Sequence, residues 1–133
     1  MPERDLISWN YMMASHVDNG KYPRALELLI EMLQTIKATN YVTFTTALSA
    51  CYNLETLKII YAFVILLGFH HNLILGDALV TMYGKFGSVA AAQRVCKIMP
   101  ERDEVTWNAL ISGHADNKEP NAAIEAINLL REE

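Results

Sequence analysis

A chain of 133 residues is the size of a single domain, and with 52% of its residues apolar it can bury a core, which excludes a disordered tail. Eleven basic against fifteen acidic residues leave a formal charge of -4, unlike the strongly basic balance usual in a free-standing nucleic-acid binder. The two cysteines, Cys51 and Cys96, stand singly inside apolar helical runs, so neither a disulfide framework nor a zinc site is indicated.

The first predicted helix runs from Leu6 to Asp18 and is mostly apolar, with Asn19-Gly20 as a helix-ending pair. Pro23 suits the first turn of the next helix. From Arg24 to Thr35 the polar residues Arg24, Glu27, Glu31 and Gln34 form one solvated stripe, and Ala25, Leu26, Leu28, Leu29, Met32 and Leu33 fill the rest. A helix that apolar needs partners on more than one side, which stacked repeats supply. Tyr41 to Leu48 opens a second helix pair. The apolar run Ile59 to Leu67 reads as a buried helix, about half the roughly 20 residues a bilayer span requires. His70-His71 falls in a turn, where solvated side chains are expected rather than a metal pair, because no third ligand lies nearby. Ile74 to Phe86 opens a third pair, with Gly87 as its stop, Ser88 as the next N-cap and Val89 to Met99 as the second helix. In the last pair Asn117-Lys118-Glu119-Pro120 is the break and Ala122 to Leu130 the second helix. Lys118 stands where the first pair has Gly20, which predicts a less well-defined turn.

The sequence repeats itself at an offset of 98 residues. Met1-Pro2-Glu3-Arg4-Asp5 returns as Met99-Pro100-Glu101-Arg102-Asp103, Trp9-Asn10 as Trp107-Asn108, and His16, Asp18 and Asn19 as His114, Asp116 and Asn117. Such an offset holds about three helix pairs of roughly 34 residues each. The units are 6–40, 41–72, 73–103 and 104–133, the last incomplete, with residues 1–5 as the tail of a preceding one. The expected architecture is all-α: one array of about four helix-turn-helix repeats stacked as a right-handed α-α superhelix. No Ser/His/Asp grouping, Gly-rich phosphate loop or paired carboxylate stands out, so no catalytic residue, metal or cofactor is expected.

These segments resemble the pentatricopeptide repeat family of plants over essentially the whole chain. Trp9-Asn10-Tyr11-Met12-Met13 and Trp107-Asn108-Ala109-Leu110-Ile111 resemble the opening of its standard repeat. Thr43-Phe44 with Leu48-Ser49-Ala50-Cys51 resembles its long variant, and Gly76-Asp77-Ala78-Leu79-Val80 through Ser88 its short variant, which ends as Met99-Pro100-Glu101-Arg102-Asp103 does. That order implies the subclass with alternating standard, long and short repeats. Two departures stand out. The second unit is about three residues short of the long form, where Ile59, Ile60 and Tyr61 replace the usual glycine and basic residues, and Asp77 stands where the short form has asparagine.

The resemblance implies sequence-directed binding of single-stranded RNA, two polar side chains per unit facing one base: the fifth residue of the first helix and the last residue of the unit. Those pairs are Asn10 with Asn40, Thr45 with Asn72, and Asp77 with Asp103, and the fourth unit offers Asn108. An amide carries donors and acceptors and can match a base edge. At the second position Ile7, Val42, Ile74 and Val105 would wedge between bases, and all four are β-branched and stiff at χ1. For Asn10 and Asn108 the competing role is capping or bridging helices, and for the wedges it is core packing. Trp9, Phe44 and Trp107 read as core.

The resemblance further implies an organellar editing or processing factor, in mitochondrion or chloroplast, that positions a target cytidine and meets protein partners of an editing complex; no membrane role is implied. The start lacks both an apolar and an Arg/Ser-rich leader, and the unit boundaries suggest a segment of a longer protein or a non-functional remnant. A protein-binding scaffold of the tetratricopeptide kind is the reading from another class. Open end repeats expose apolar faces, so self-association is expected.

Overall fold

The computed structural model describes the chain apart from residues 1, 36–38, 117, 119–120, 122–123, 126 and 129–133, and of residues 2–5 it describes the backbone. The described residues form seven α-helices: α1 (Pro2–Asp18), α2 (Tyr22–Thr35), α3 (Tyr41–Ser49), α4 (Leu54–Leu66), α5 (Leu73–Lys85), α6 (Val89–Ile98) and α7 (Glu104–Asp116). A 3₁₀ turn, Phe69–His71, lies between α4 and α5. Past α7, Asn121, Ile124, Glu125, Ile127 and Asn128 are helical, and the rest of the expected helix Ala122 to Leu130 falls outside the described residues. The class is all-α, built of helical hairpins.

The chain divides into two compact units, residues 1–69 and 70–133. In the first, α1 packs on α2 and α3, and α3 packs on α4. Its core holds Met13, Leu28, Met32, Phe44, Leu48 and Leu57, none more than 1% exposed. Each such side chain contributes roughly 1.5–3 kcal/mol by leaving water. Phe69 returns onto Phe44 with ring centroids 5.5 Å apart. The polar stripe of α2 faces solvent, where Arg24 reaches Glu27 at 3.0 Å and Glu31 at 3.7 Å. Exposed pairs of this kind add about 0–1 kcal/mol, so α2 is held by its buried Ala25, Leu28, Leu29 and Met32.

In the second unit α5 packs on α6 and α7 around Leu75, Leu79, Val80, Val95, Trp107 and Leu110. The backbones of α5 and α7 meet at two glycines: a Cβ on Gly84 would stand 3.3 Å from the Cα of Gly113. Trp107 and Phe44 are buried as expected, whereas Trp9 is half-buried. Both cysteines are buried thiols, and burial pushes Cys51 up to about 12.

The helix ends follow the chain's turn chemistry with three departures. Gly20 takes a left-handed φ of 72°, and the N–H of Lys21 donates to the His16 carbonyl at 2.8 Å, closing α1. Lys118 adopts the same hand without being glycine, at φ 57°, its N–H donating to the Ala115 carbonyl at 3.1 Å. The first departure is at α1, which starts at Pro2 rather than Leu6. Proline is tolerated in a first turn because it lacks only an N–H that would be unpaired there. The second is Ser88, which stands at the N-cap of α6 but makes no side-chain cap bond. Its ψ of 68° is far from the extended backbone of Asn40 and Asn53, whose side chains do cap. The third is α4, which is not wholly buried: Leu57, Ile60 and Val64 face inward while Ile59, Ile65 and Leu66 are exposed. A helix turns through 3.6 residues, so an unbroken apolar run must point some side chains away from a single partner helix.

Candidate nucleic-acid interface

Each first helix presents its second and fifth residues on one face, one turn apart. Tyr41, Leu73 and Glu104 begin α3, α5 and α7, so Thr45, Asp77 and Asn108 are fifth in the helix as well as in the unit. In α1 the longer start makes Asn10 the fifth residue of the unit only. Residues three apart share a helix face, which pairs Ile7 with Asn10, Val42 with Thr45, Ile74 with Asp77 and Val105 with Asn108. The four aliphatic residues are outside the core, with 65%, 38%, 56% and 56% of their surface exposed.

In the first unit Asn10 and Asn40 touch. Asn10 is 8% exposed, and its Nδ2 donates to Asn40 Oδ1 at 3.1 Å. Thr43, fully buried, donates its hydroxyl to Asn10 Oδ1 at 2.7 Å, and its N–H donates to Asn40 Oδ1 at 3.0 Å. The Asn40 N–H closes the box on Thr43 Oγ1 at 3.2 Å. Asn40 therefore starts α3 and orients Asn10 with the same oxygen, and no hydrogen bond among the described residues uses its Nδ2. Asn10 thus bridges α1 to the start of α3, and it does so by holding the paired residue.

The compact unit of residues 70–133 repeats the arrangement with acids. Thr106 donates its hydroxyl to Asp77 Oδ1, its oxygen lies 2.9 Å from Asp103 Oδ1, and its N–H donates to Asp103 Oδ1 at 3.0 Å. The Asp103 N–H donates to Thr106 Oγ1 at 3.1 Å. Burial raises Asp77 above the ordinary carboxylate value, reinforced by the neighbouring Asp103 and opposed by the Thr106 hydroxyl. The Thr106 N–H holds Asp103 below it.

Thr45 lies in the compact unit of residues 1–69 and Asn72 in that of residues 70–133. The Thr45 hydroxyl donates to the Val42 carbonyl of its own helix at 3.0 Å, and Asn72 Oδ1 caps α5 by accepting the Leu75 N–H at 3.0 Å. Asn108 is exposed and, with Val105, lines a groove of about 610 Å³ between α5 and α7 that also takes in Thr81, Lys85, Ser112 and Asp116. Thr43 and Thr106 are the residues that sequence reasoning missed. Their signal is the capping-box spacing Asn40-x-x-Thr43 and Asp103-x-x-Thr106, which marks a helix start but does not show that the same hydroxyl reaches the preceding first helix. The rings of His70 and His71 lie 4.1 Å apart, tilted by 43°, and no group of three metal-ligating side chains occurs among the described residues.

Comparison with known proteins places these hairpins. The family model for the PPR repeat matches residues 7–34 and 105–133. A putative pentatricopeptide repeat-containing protein of Arabidopsis thaliana is 40% identical over 115 residues, 84% of this chain and 16% of the relative. A second from the same plant is 38% identical over 129 residues, 95% of this chain and 16% of the relative. A third, whose name marks it as chloroplastic, is 40% identical over 119 residues, 86% of this chain and 18% of the relative. The chain thus spans about a sixth of the length of the curated relatives it matches.

Proposed function

The chain belongs to the pentatricopeptide repeat family, whose members are generally RNA-binding helical repeats and not enzymes, and from that premise we propose that it reads single-stranded RNA one base per unit, as part of an organellar editing or processing factor that positions a target cytidine. The units proposed are 6–40, 41–72, 73–103 and 104–133, in the alternating standard, long and short order, within a parent that acts in mitochondrion or chloroplast beside protein partners of an editing complex. Asn10, Asn40, Thr45, Asn72, Asp77, Asp103 and Asn108 would face base edges, and Ile7, Val42, Ile74 and Val105 would separate the bases.

The observation that carries this reading is the direct pairing of fifth and last residues. Asn10 reaches Asn40 at 3.1 Å, and Asp77 meets Asp103 through Thr106. Beside each pair stands an exposed β-branched side chain. A structural hydrogen bond alone would not require Ile7 and Ile74 to be left in water, where an apolar side chain gains nothing; a base stacked against each would remove that exposure. The acid balance favours a second reading, a protein-binding scaffold.

Fluorescence-anisotropy titration with short single-stranded RNAs, randomised at three adjacent positions, tests the proposal at low and physiological salt. Base-dependent binding that shifts when Asn10 and Asn40 are exchanged for other polar residues supports it. Loss of one base-edge pair should cost about 1–3 kcal/mol, roughly five- to 150-fold in affinity. Folded protein that binds no RNA at low salt would move the assignment to the scaffold.

A further inference from the structure

The two units carry the same three-residue cluster with one difference in chemistry. Around Asn40 Oδ1 the first unit supplies the Thr43 N–H and an amide hydrogen of Asn10, while the Thr43 hydroxyl satisfies Asn10 Oδ1. In the second unit the Thr106 N–H and hydroxyl occupy the equivalent places, but Asp77 replaces the amide. An ionised carboxylate is acceptor-only, so the hydrogen that Asn10 donates has no counterpart, and two like charges face each other. A neutral carboxyl has the shape of an amide and offers an O–H where the amide offers an N–H.

We propose that Asp77 and Asp103 share one proton, carried by Asp77 and accepted by Asp103, so that the junction of α5 and α7 is a latch that tightens on acidification and Asp77 then stands in for asparagine. The Thr106 hydroxyl oxygen meets one oxygen of each carboxyl, which draws the two side chains together, and it has a single hydrogen for both. The groups acting on Asp77 are Thr106 and Asp103, at the start of α7; α6, the other helix packed on α5, carries Arg94 and Lys97, and neither forms an ion pair with Asp77 among the described residues. Burial keeps Asp77 neutral to a higher pH than an ordinary carboxylate, whereas Asp103 stays ionised to a lower one. The stabilising effect of Asp77 is therefore full at low pH and is lost as pH rises through its raised value. That of Asp103 is full above the ordinary range and is lost as pH falls through its lowered value. Between the two values the pair holds one proton and the latch is tightest.

Carbon-detected NMR of the aspartate carboxyls in the full chain, with thermal unfolding across the same pH series, tests this. Asp77 should titrate above Asp103 and above the ordinary range. Asp77→Asn, which carries the donor permanently, should unfold roughly 2–8 °C above the parent chain at neutral pH. That gain should shrink as pH falls into the window. Asp103→Asn, which removes the charge and offers its own donor, should bring the Asp77 titration down. An Asp77 carboxyl that titrates in the ordinary range, parallel melting profiles for parent and Asp77→Asn, or an Asp77 titration indifferent to Asp103→Asn would each overturn the shared proton. On the RNA reading proposed above, the neutral pair also removes a negative charge from the strand's path, so affinity should rise on acidification in the parent and not in Asp77→Asn. A confirmed carboxyl titration in a protein that binds no RNA would sink that reading and leave the latch standing.

Discussion

Thr43 is fully buried, and its hydroxyl is shared by Asn10 and Asn40. Thr43→Val keeps the shape and removes the hydroxyl, leaving Asn10 Oδ1 and the Asn40 N–H without that partner at a largely buried contact. The expected loss is about 1–3 kcal/mol, read from the urea midpoint, and Thr43→Ser should recover most of it. At Lys118 the sign reverses. A lysine at φ 57° holds a conformation that costs an L-residue roughly 1–2 kcal/mol and glycine almost nothing, so Lys118→Gly should stabilise the chain by up to about 1 kcal/mol. An unchanged or lowered midpoint would contradict this. The pairs Asn10–Asn40 and Asp77–Asp103 were legible in the sequence because the resemblance fixes their places. Their two threonines were not. A capping spacing reports on one helix, and the second bond of each hydroxyl depends on how closely the preceding first helix approaches.

Among the elements, the solvent face of α2 was legible because a stripe of four polar residues marks it, although Ile30 also stands in water with 53% of its surface exposed. α4 was misread as buried, because a continuous apolar run has no polar residues to mark its outer face. Ile59 and Leu66 lie seven residues apart, two turns along the same face, with 59% and 76% of their surface exposed. Changing both to glutamate should leave the unfolding midpoint within about 0.5 kcal/mol, since neither side chain is in the core. The same change should lower self-association measured by sedimentation velocity. A large drop in stability would instead mean that this face is covered in solution. The α5–α7 crossing makes the opposite prediction. Leucine at Gly84 would drive side-chain atoms into the Gly113 backbone, which cannot yield as a flexible side chain can. Overpacking of this kind costs about 1–3 kcal/mol, and Gly84→Leu should lose that much.

For the molecule as a whole, on the RNA reading proposed above, the balance of charge against contact decides how tightly this length of chain would bind. If an aliphatic wedge gives no more than the roughly 1–3 kcal/mol per base of aromatic stacking, three stations supply at most about 3–9 kcal/mol. Association costs about 4–15 kcal/mol. Phosphate attraction would have to make up the difference, and a net charge of -4 works against it. In a solenoid each further repeat adds its stations without a second association cost. The relatives, of which this chain spans 15–20%, have that additional length. The chain alone should therefore bind its best RNA more weakly than about micromolar at physiological salt, some 8 kcal/mol in free energy. Affinity should grow steeply as neighbouring repeats are joined to it, because every added unit contributes contacts in full. Anisotropy titrations of this chain and of versions extended by one and two repeats would follow that growth directly. A sub-micromolar dissociation constant for the chain alone would mean that the exposed wedges and paired amides contribute more than stacking and edge bonding account for, and that the acid balance is offset locally by the groove around Lys85.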